Sequence, residues 1–174
     1  MMNVWSVINM DLSKYTINNM KERLEEKLIL SKELVNEGEY KKRSNIISIV
    51  EKEWILKEWF CSVDIGEWED VEIIIHGSNE APVEELLSLA DRLFKQIGIH
   101  LEKALVYLKK FIPSQEIDNY DLSTITIGRI VNFDDSILLG FSIHFVYGDY
   151  PYAFQYKVKF KEDGWPIGFE AGPL

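Results

Sequence analysis

Residues 63–85 read VDIGEWEDVEIIIHGSNEAPVEE, and the division of this run sets the architecture around it. An acidic turn, an apolar strand, a histidine, a glycine and a helix start come in close order. From Trp59 the pattern has period two: Trp59, Cys61, Val63 and Ile65 point one way, and Phe60, Ser62 and Asp64 the other. After GEWED, Val71, Ile73 and Ile75 share one face, and Glu72, Ile74 and His76 share the opposite one. That predicts a β-hairpin with one apolar face. Gly77 then turns the chain, and Ser78 or Asn79 helps cap the next helix. Pro82 opens that helix, with Glu84 and Glu85 in its first turn, where the helix dipole favours carboxylates.

The same run holds the ingredients of a metal or phosphate site, and both readings fail on chemistry. Asp64, Glu72 and His76 share a face. Glu72 and His76, however, are roughly 13 Å apart along one strand at about 3.3 Å per residue. Ligands of one ion converge within about 2 Å of it. Setting Ile65 opposite Val71 also puts Asp64 opposite Glu72, two like charges without a histidine. The order strand, HGSN, helix resembles an anion-binding loop, but it has one glycine and no lysine. Glu80, Glu84 and Glu85 would repel a phosphate. The stretch is a seam between hairpin and helix, with no metal ligands and no cofactor.

Upstream, Thr16 suits an N-cap, and Ile17, Met20, Leu24 and Leu28 recur at helical spacing. Gly38 marks a break, and Ile46, Ile47, Val50 and Trp54 again run nearer helical than alternating. Residues 1–54 are expected to form an N-terminal helical arm. Downstream, Leu86, Ala90, Leu93 and Ile97 form a stripe. Gly98 interrupts it, Leu101, Ala104 or Leu105, and Leu108 resume it, and Pro113 ends the helical region.

The last third reads as an antiparallel meander. Ile125 and Ile127 lie in one strand and NFDDS is a turn; Ile137, Leu139, Phe141, Ile143, Phe145 and Tyr147 then alternate. GDYP turns before Tyr152, Phe154, Tyr156, Val158 and Phe160, and EDG leads to an edge segment at 165–169. The expected fold is one α+β domain over 1–174. Its mostly antiparallel sheet, hairpin plus C-terminal meander, is covered on one face by helices.

At 174 residues, about 70% of the unfolded chain's surface can be buried, and 47% hydrophobic residues supply a core. The net charge of −10 argues against nucleic acid and against anionic lipid, both of which recruit basic surfaces. It favours a basic protein partner. Cys61 is the single cysteine, so no intramolecular disulfide forms. The N-terminus lacks a signal-peptide pattern and no apolar run reaches the roughly 18 residues of a membrane span. The expected address is the cytoplasm.

Other candidate groups are individually bland. His100 follows Gly98, and His144 shares the polar side of a strand with Ser142, without a GxSxG elbow. Cys61 falls on the apolar face as a small hydrophobe. Lys157, Lys159 and Lys161 stripe the side of a strand opposite Tyr156, Val158 and Phe160. Trp68, in the acidic turn with Glu67, Glu69 and Asp70, is the best partner-contact candidate among the five tryptophans. The alternative is that it folds back on the sheet edge.

Trp59, Gly77, Pro82 and EDGWPIGFE from Glu162 together resemble small uncharacterised bacterial domains over about residues 55–170. In these a tryptophan-led hairpin ends in a Gly turn, a Pro-started helix pair comes next, and a meander closes on a DG-x-P segment. The resemblance implies no catalytic residues, and some such domains are suspected immunity proteins that neutralise a toxin. The expectation is a non-catalytic module binding a basic partner through Trp68, Glu67, Glu69 and Asp70. The alternatives are a small-molecule-binding or hydrolytic enzyme using His76 or His144, and a structural homo-oligomer joined through the arm.

Overall fold

The computed structural model describes residues 17–28, 57–77, 81–132, 134 and 136–174. The elements are α1 (Ile17–Arg23), β1 (Glu25–Leu28), β2 (Lys57–Ile65), β3 (Trp68–Gly77), α2 (Glu84–Lys95), α3 (Ile97–Phe111), a 3-10 turn (Ile117–Asn119), β4 (Tyr120–Val131), β5 (Ile137–Tyr147), β6 (Phe154–Lys161) and β7 (Pro166–Pro173). Among the described residues the seven strands form one sheet in sequence order. Every neighbouring pair is antiparallel except β3 and β4, which run parallel. This is an α+β fold with a mostly antiparallel sheet.

Period-two alternation puts Val71, Ile73 and Ile75 of β3, Ile125 and Ile127 of β4, Phe141, Ile143 and Phe145 of β5, and Val158 and Phe160 of β6 in one buried cluster. Leu86, Leu87, Ala90, Leu93 and Phe94 of α2 and Leu101, Ala104, Leu105 and Leu108 of α3 complete it. The 3.6-residue stripe of each helix thus meets the two-residue stripe of the sheet, and burial of both is what holds them. Phe141 and Phe160 stack at 4.8 Å between ring centroids, and His100 of α3 meets Phe141 edge-on at 5.1 Å. No helix among the described residues is long and apolar enough to cross a membrane.

Several expectations are corrected. The helix read through Leu28 stops at Arg23, and Glu25–Leu28 pairs with β2 as a strand, Glu25 opposite Phe60. Leu24 and Leu28 fit a helical period, but the free edge of β2 satisfies the backbone of this segment in another way. The hairpin parity holds, while its register moves: Val63, not Ile65, lies opposite Val71, and Ile65 pairs with Trp68. A bulge at Asp64 absorbs the shift. Its carboxylate accepts from the Asp70 amide at 3.1 Å, and Asp70 takes φ 53°, a left-handed conformation that Asp tolerates.

The helix break falls at Gln96, two residues before Gly98. The N-cap of α2 is Val83, with no side-chain cap bond, so Pro82, expected to open this helix, lies before it and bridges Gly77 instead; Ser78 and Asn79 lie outside the described residues, as does most of the arm at 1–54. Tyr152, read as a strand residue, sits in the turn before β6 and is 85% exposed.

Candidate functional site

Two regions of the described surface carry polar or aromatic groups beyond what packing needs. The first is one end of the sheet. Because β3 and β4 are parallel and in register from Glu72↔Thr124, the β2–β3 turn lies level with the 3-10 turn that enters β4. Tyr120 opposes Tyr147, and Tyr147 opposes Phe154, so the β5–β6 turn joins the same end. Three loops distant in sequence therefore converge.

Their exposed residues are Asp64, Glu67, Glu69 and Asp70 from the hairpin, Asp118 and Asp121 beside the 3-10 turn, and Asp149, Tyr150 and Tyr152 from the last turn. Both tyrosines are 85% exposed. None of these three loops contains Lys or Arg. Trp68 is half-buried and packs against the core, the fold-back alternative, while Glu67, Glu69 and Asp70 beside it are exposed. Among the described residues the exposed tryptophan is Trp165, 70% accessible, at the opposite end between β6 and β7.

The scaffold under this end is pinned by polar bonds. Gln115 donates to the Tyr156 hydroxyl at 2.8 Å and accepts from Tyr120, and Lys109 donates to the Gln115 carbonyl at 2.6 Å. Burial, with Tyr156 and Tyr147 close by, pushes the Tyr120 phenol up to about 12. Tyr120 therefore stays neutral and holds the loop by hydrogen bonds rather than charge.

The second region is a cleft of about 350 Å³. It is lined by residues of opposite parity to the core stripe: Glu58, Ile74, His76, Thr126, Ser142, His144, Lys157, Lys159 and Glu170 among them. Here the histidines that look unrelated in sequence come together. His76 of β3 is buried, and its Nδ1 accepts the Arg129 amide of β4 at 3.1 Å. That bond leaves the ring hydrogen on Nε2, which faces Glu58 at 3.7 Å. The ring fits only because position 128 is glycine: a Cβ there would lie 2.1 Å from Nδ1.

Ser142, on the polar side of β5, is nonetheless buried, and its Oγ lies 2.9 Å from Nε2 of His144. Burial first, then the charge of Lys157, lowers His144 to about 4, with Glu170 pulling the other way. His144 is thus neutral near pH 7. Glu170 on β7 pairs with Lys159, while Lys157 stands 3.7 Å from its other oxygen. Burial works to raise the Glu170 pKa, but the Lys159 bond and both lysine charges outweigh it and hold the carboxylate below its usual range.

Cys61 is a free, half-buried thiol whose pKa burial pushes up against the pull of Arg23, so it is not poised as a nucleophile. His100 is buried against Phe141 and Phe160, remote in type from an acid–base pair. Among the described residues no group of three or more His, Cys, Asp or Glu could hold a metal. The Ser142–His144 contact joins a hydroxyl to a base, yet β5 is paired on both sides by β4 and β6. Its backbone amides are spent on the ladder rather than available to an oxyanion.

The architecture defines an α+β domain of one mostly antiparallel sheet with packed helices. Comparison with family models, with curated proteins and with solved structures returns no match.

Proposed function

We propose that this chain is a non-catalytic, cytoplasmic protein-binding module of the toxin-neutralising type, and that its partner is a basic protein. The observation that carries the reading is the convergence of seven exposed carboxylates and two exposed tyrosines on one end of the sheet, in loops free of Lys and Arg. Carboxylates steer a basic partner over long range, and the tyrosines supply rigid contact area once it arrives. Glu67, Glu69, Asp70 and Trp68 belong to this end, with Trp68 bracing the turn from beneath. In the same reading the two long helices cover one face of the sheet, and the N-terminal arm is helical.

The test is capture of a basic protein from native lysate by the tagged chain at low salt, then kinetics with that partner. Reversing two charges, Glu67→Lys with Glu69→Lys, is expected to slow association by about tenfold or more at low salt. The effect should shrink as salt screens it. Tyr152→Ala is expected to speed dissociation about tenfold, the cost of losing an interface anchor. Glu102→Lys with Glu162→Lys, on the exposed side of α3 and in the β6–β7 turn at the opposite end, makes the same change in net charge and is the control. An association rate that responds equally to this pair and to the paired hairpin reversal removes the site, and no retained basic partner removes the function.

A further inference from the structure

We propose that the cleft on the sheet is a binding site for a small organic carboxylate with a short apolar body. This goes beyond the partner-binding end and stands independently of it.

The charge of the lining is the first argument. Arg129, Lys157 and Lys159 line the cleft together with Glu58 and Glu170, so its basic side chains outnumber its carboxylates by one on a chain of net charge −10. A local cationic patch on an acidic protein repels few small anions at close range and concentrates them in one place.

Hydrogen-bond bookkeeping is the second. The Ser142–His144 pair shares one hydrogen bond at 2.9 Å. Whichever ring nitrogen carries the hydrogen, one hydrogen of the pair, on Nδ1 or on Oγ, is left over to donate. With two ammonium groups beside it, this part of the cleft offers donors to an acceptor-rich ligand. Glu170 already answers the two ammonium groups: it pairs with Lys159 and approaches Lys157, from a side chain that is 57% exposed. Lys159 is fixed further by the Val131 carbonyl at 2.8 Å. Glu170 thus occupies the place of a ligand carboxylate from the edge strand, and a ligand competes with it for the two lysines.

Shape is the third. Ile74, Ile130, Val131 and Ile137 line the same cleft, and Val131 and Ile137 are exposed. A volume of about 350 Å³ is at the small end of ligand sites. An inorganic anion would leave the apolar wall unused; a carboxylate bearing a short hydrocarbon chain covers it.

The test is an NMR titration of the full chain with hexanoate, with hexan-1-ol and inorganic phosphate as comparison probes. Hexanoate is expected to give saturable shifts centred on Ser142, His144 and Lys159, at least tenfold tighter than either comparison. Lys159→Gln should weaken hexanoate about tenfold, the scale of one charge-assisted bond. Glu170→Gln, which removes the internal competitor, should tighten it several-fold, whereas Glu102→Gln should leave it unchanged. Weaker binding in Glu170→Gln, or equal gains in both Gln variants, overturns the competition. Equal binding of hexan-1-ol overturns the anion site, equal binding of phosphate overturns the apolar half, and no hexanoate shift at roughly millimolar concentration overturns the whole.

Discussion

Gly140→Ala is expected to cost about 3 kcal/mol, lowering the thermal midpoint by about 6–12 °C for a domain of this size. The reason is steric. Gly140 sits in β5 beside β6, and a Cβ added there would stand 2.0 Å from the Phe160 carbonyl oxygen and 3.2 Å from the Ile130 side chain. The first obstacle is backbone held in a sheet ladder, so it has no rotamer through which to retreat. Relief requires β5 and β6 to separate where Phe141 and Phe160 stack, and those rings lose their close packing as a result. Gly168→Ala on β7 is the control, since nothing lies within 4 Å of its added Cβ; it should fall within about 0.5 kcal/mol of the parent. Denaturant melts of the two variants check this. Indistinguishable midpoints would show that β5 and β6 separate freely at this point, contrary to their close packing.

Acid is expected to destabilise the fold through two histidines. Burial first, then Lys103 for one and Lys157 for the other, brings both His100 and His144 down to about 4 from an ordinary 6.5. Below 6.5 the unfolded chain binds protons that the folded chain refuses. Stability from these rings is therefore fully present above about 6.5 and is lost as pH falls through about 4. Each ring is worth on the order of 3 kcal/mol across that window. His100→Leu should remove about half of the histidine contribution to the slope of stability against pH between about 6.5 and 4, leaving the smaller carboxylate contribution of Glu170 in place. It should also be no less stable than the parent at pH 7, because it removes a buried Nδ1 that has no hydrogen-bond partner. Urea melts at several pH values read the slope directly. An unchanged slope in His100→Leu would mean that the ring protonates freely in the folded state.

Much of the fold was legible because burial writes itself into sequence as periodicity. Val71, Ile73 and Ile75 announced a strand, and Leu86, Ala90 and Leu93 a helix, since each stripe had one face to hide. The strand at Glu25–Leu28 was not legible: its Leu24 and Leu28 suit a helix, and only the edge of β2, more than thirty residues on, favours extension. The hairpin register slipped because a bulge leaves no mark except an Asp able to accept φ above zero. The sites were the least legible. Ser142 and His144 were visible as strand neighbours and the lysines as a stripe. Their meeting with Glu170 and with the His76–Glu58 pair depends on register across six strands, which no local pattern encodes. The acidic end was seen only in its hairpin third, because the parallel alignment of β3 with β4 is what brings Asp118, Asp121 and Asp149 beside it.

That parallel pair also governs how the molecule comes together. Short turns join β2 to β3 and β4 through β7 in succession. The β3–β4 contact instead spans the two long helices, so roughly fifty residues must be looped before it rewards the chain. Contact order leads to the expectation that the β2–β3 hairpin and the β4–β7 meander assemble first and that their suture forms last. Amide protons at Ile73, Ile75, Ile125 and Ile127 along that suture should exchange only when the whole domain opens.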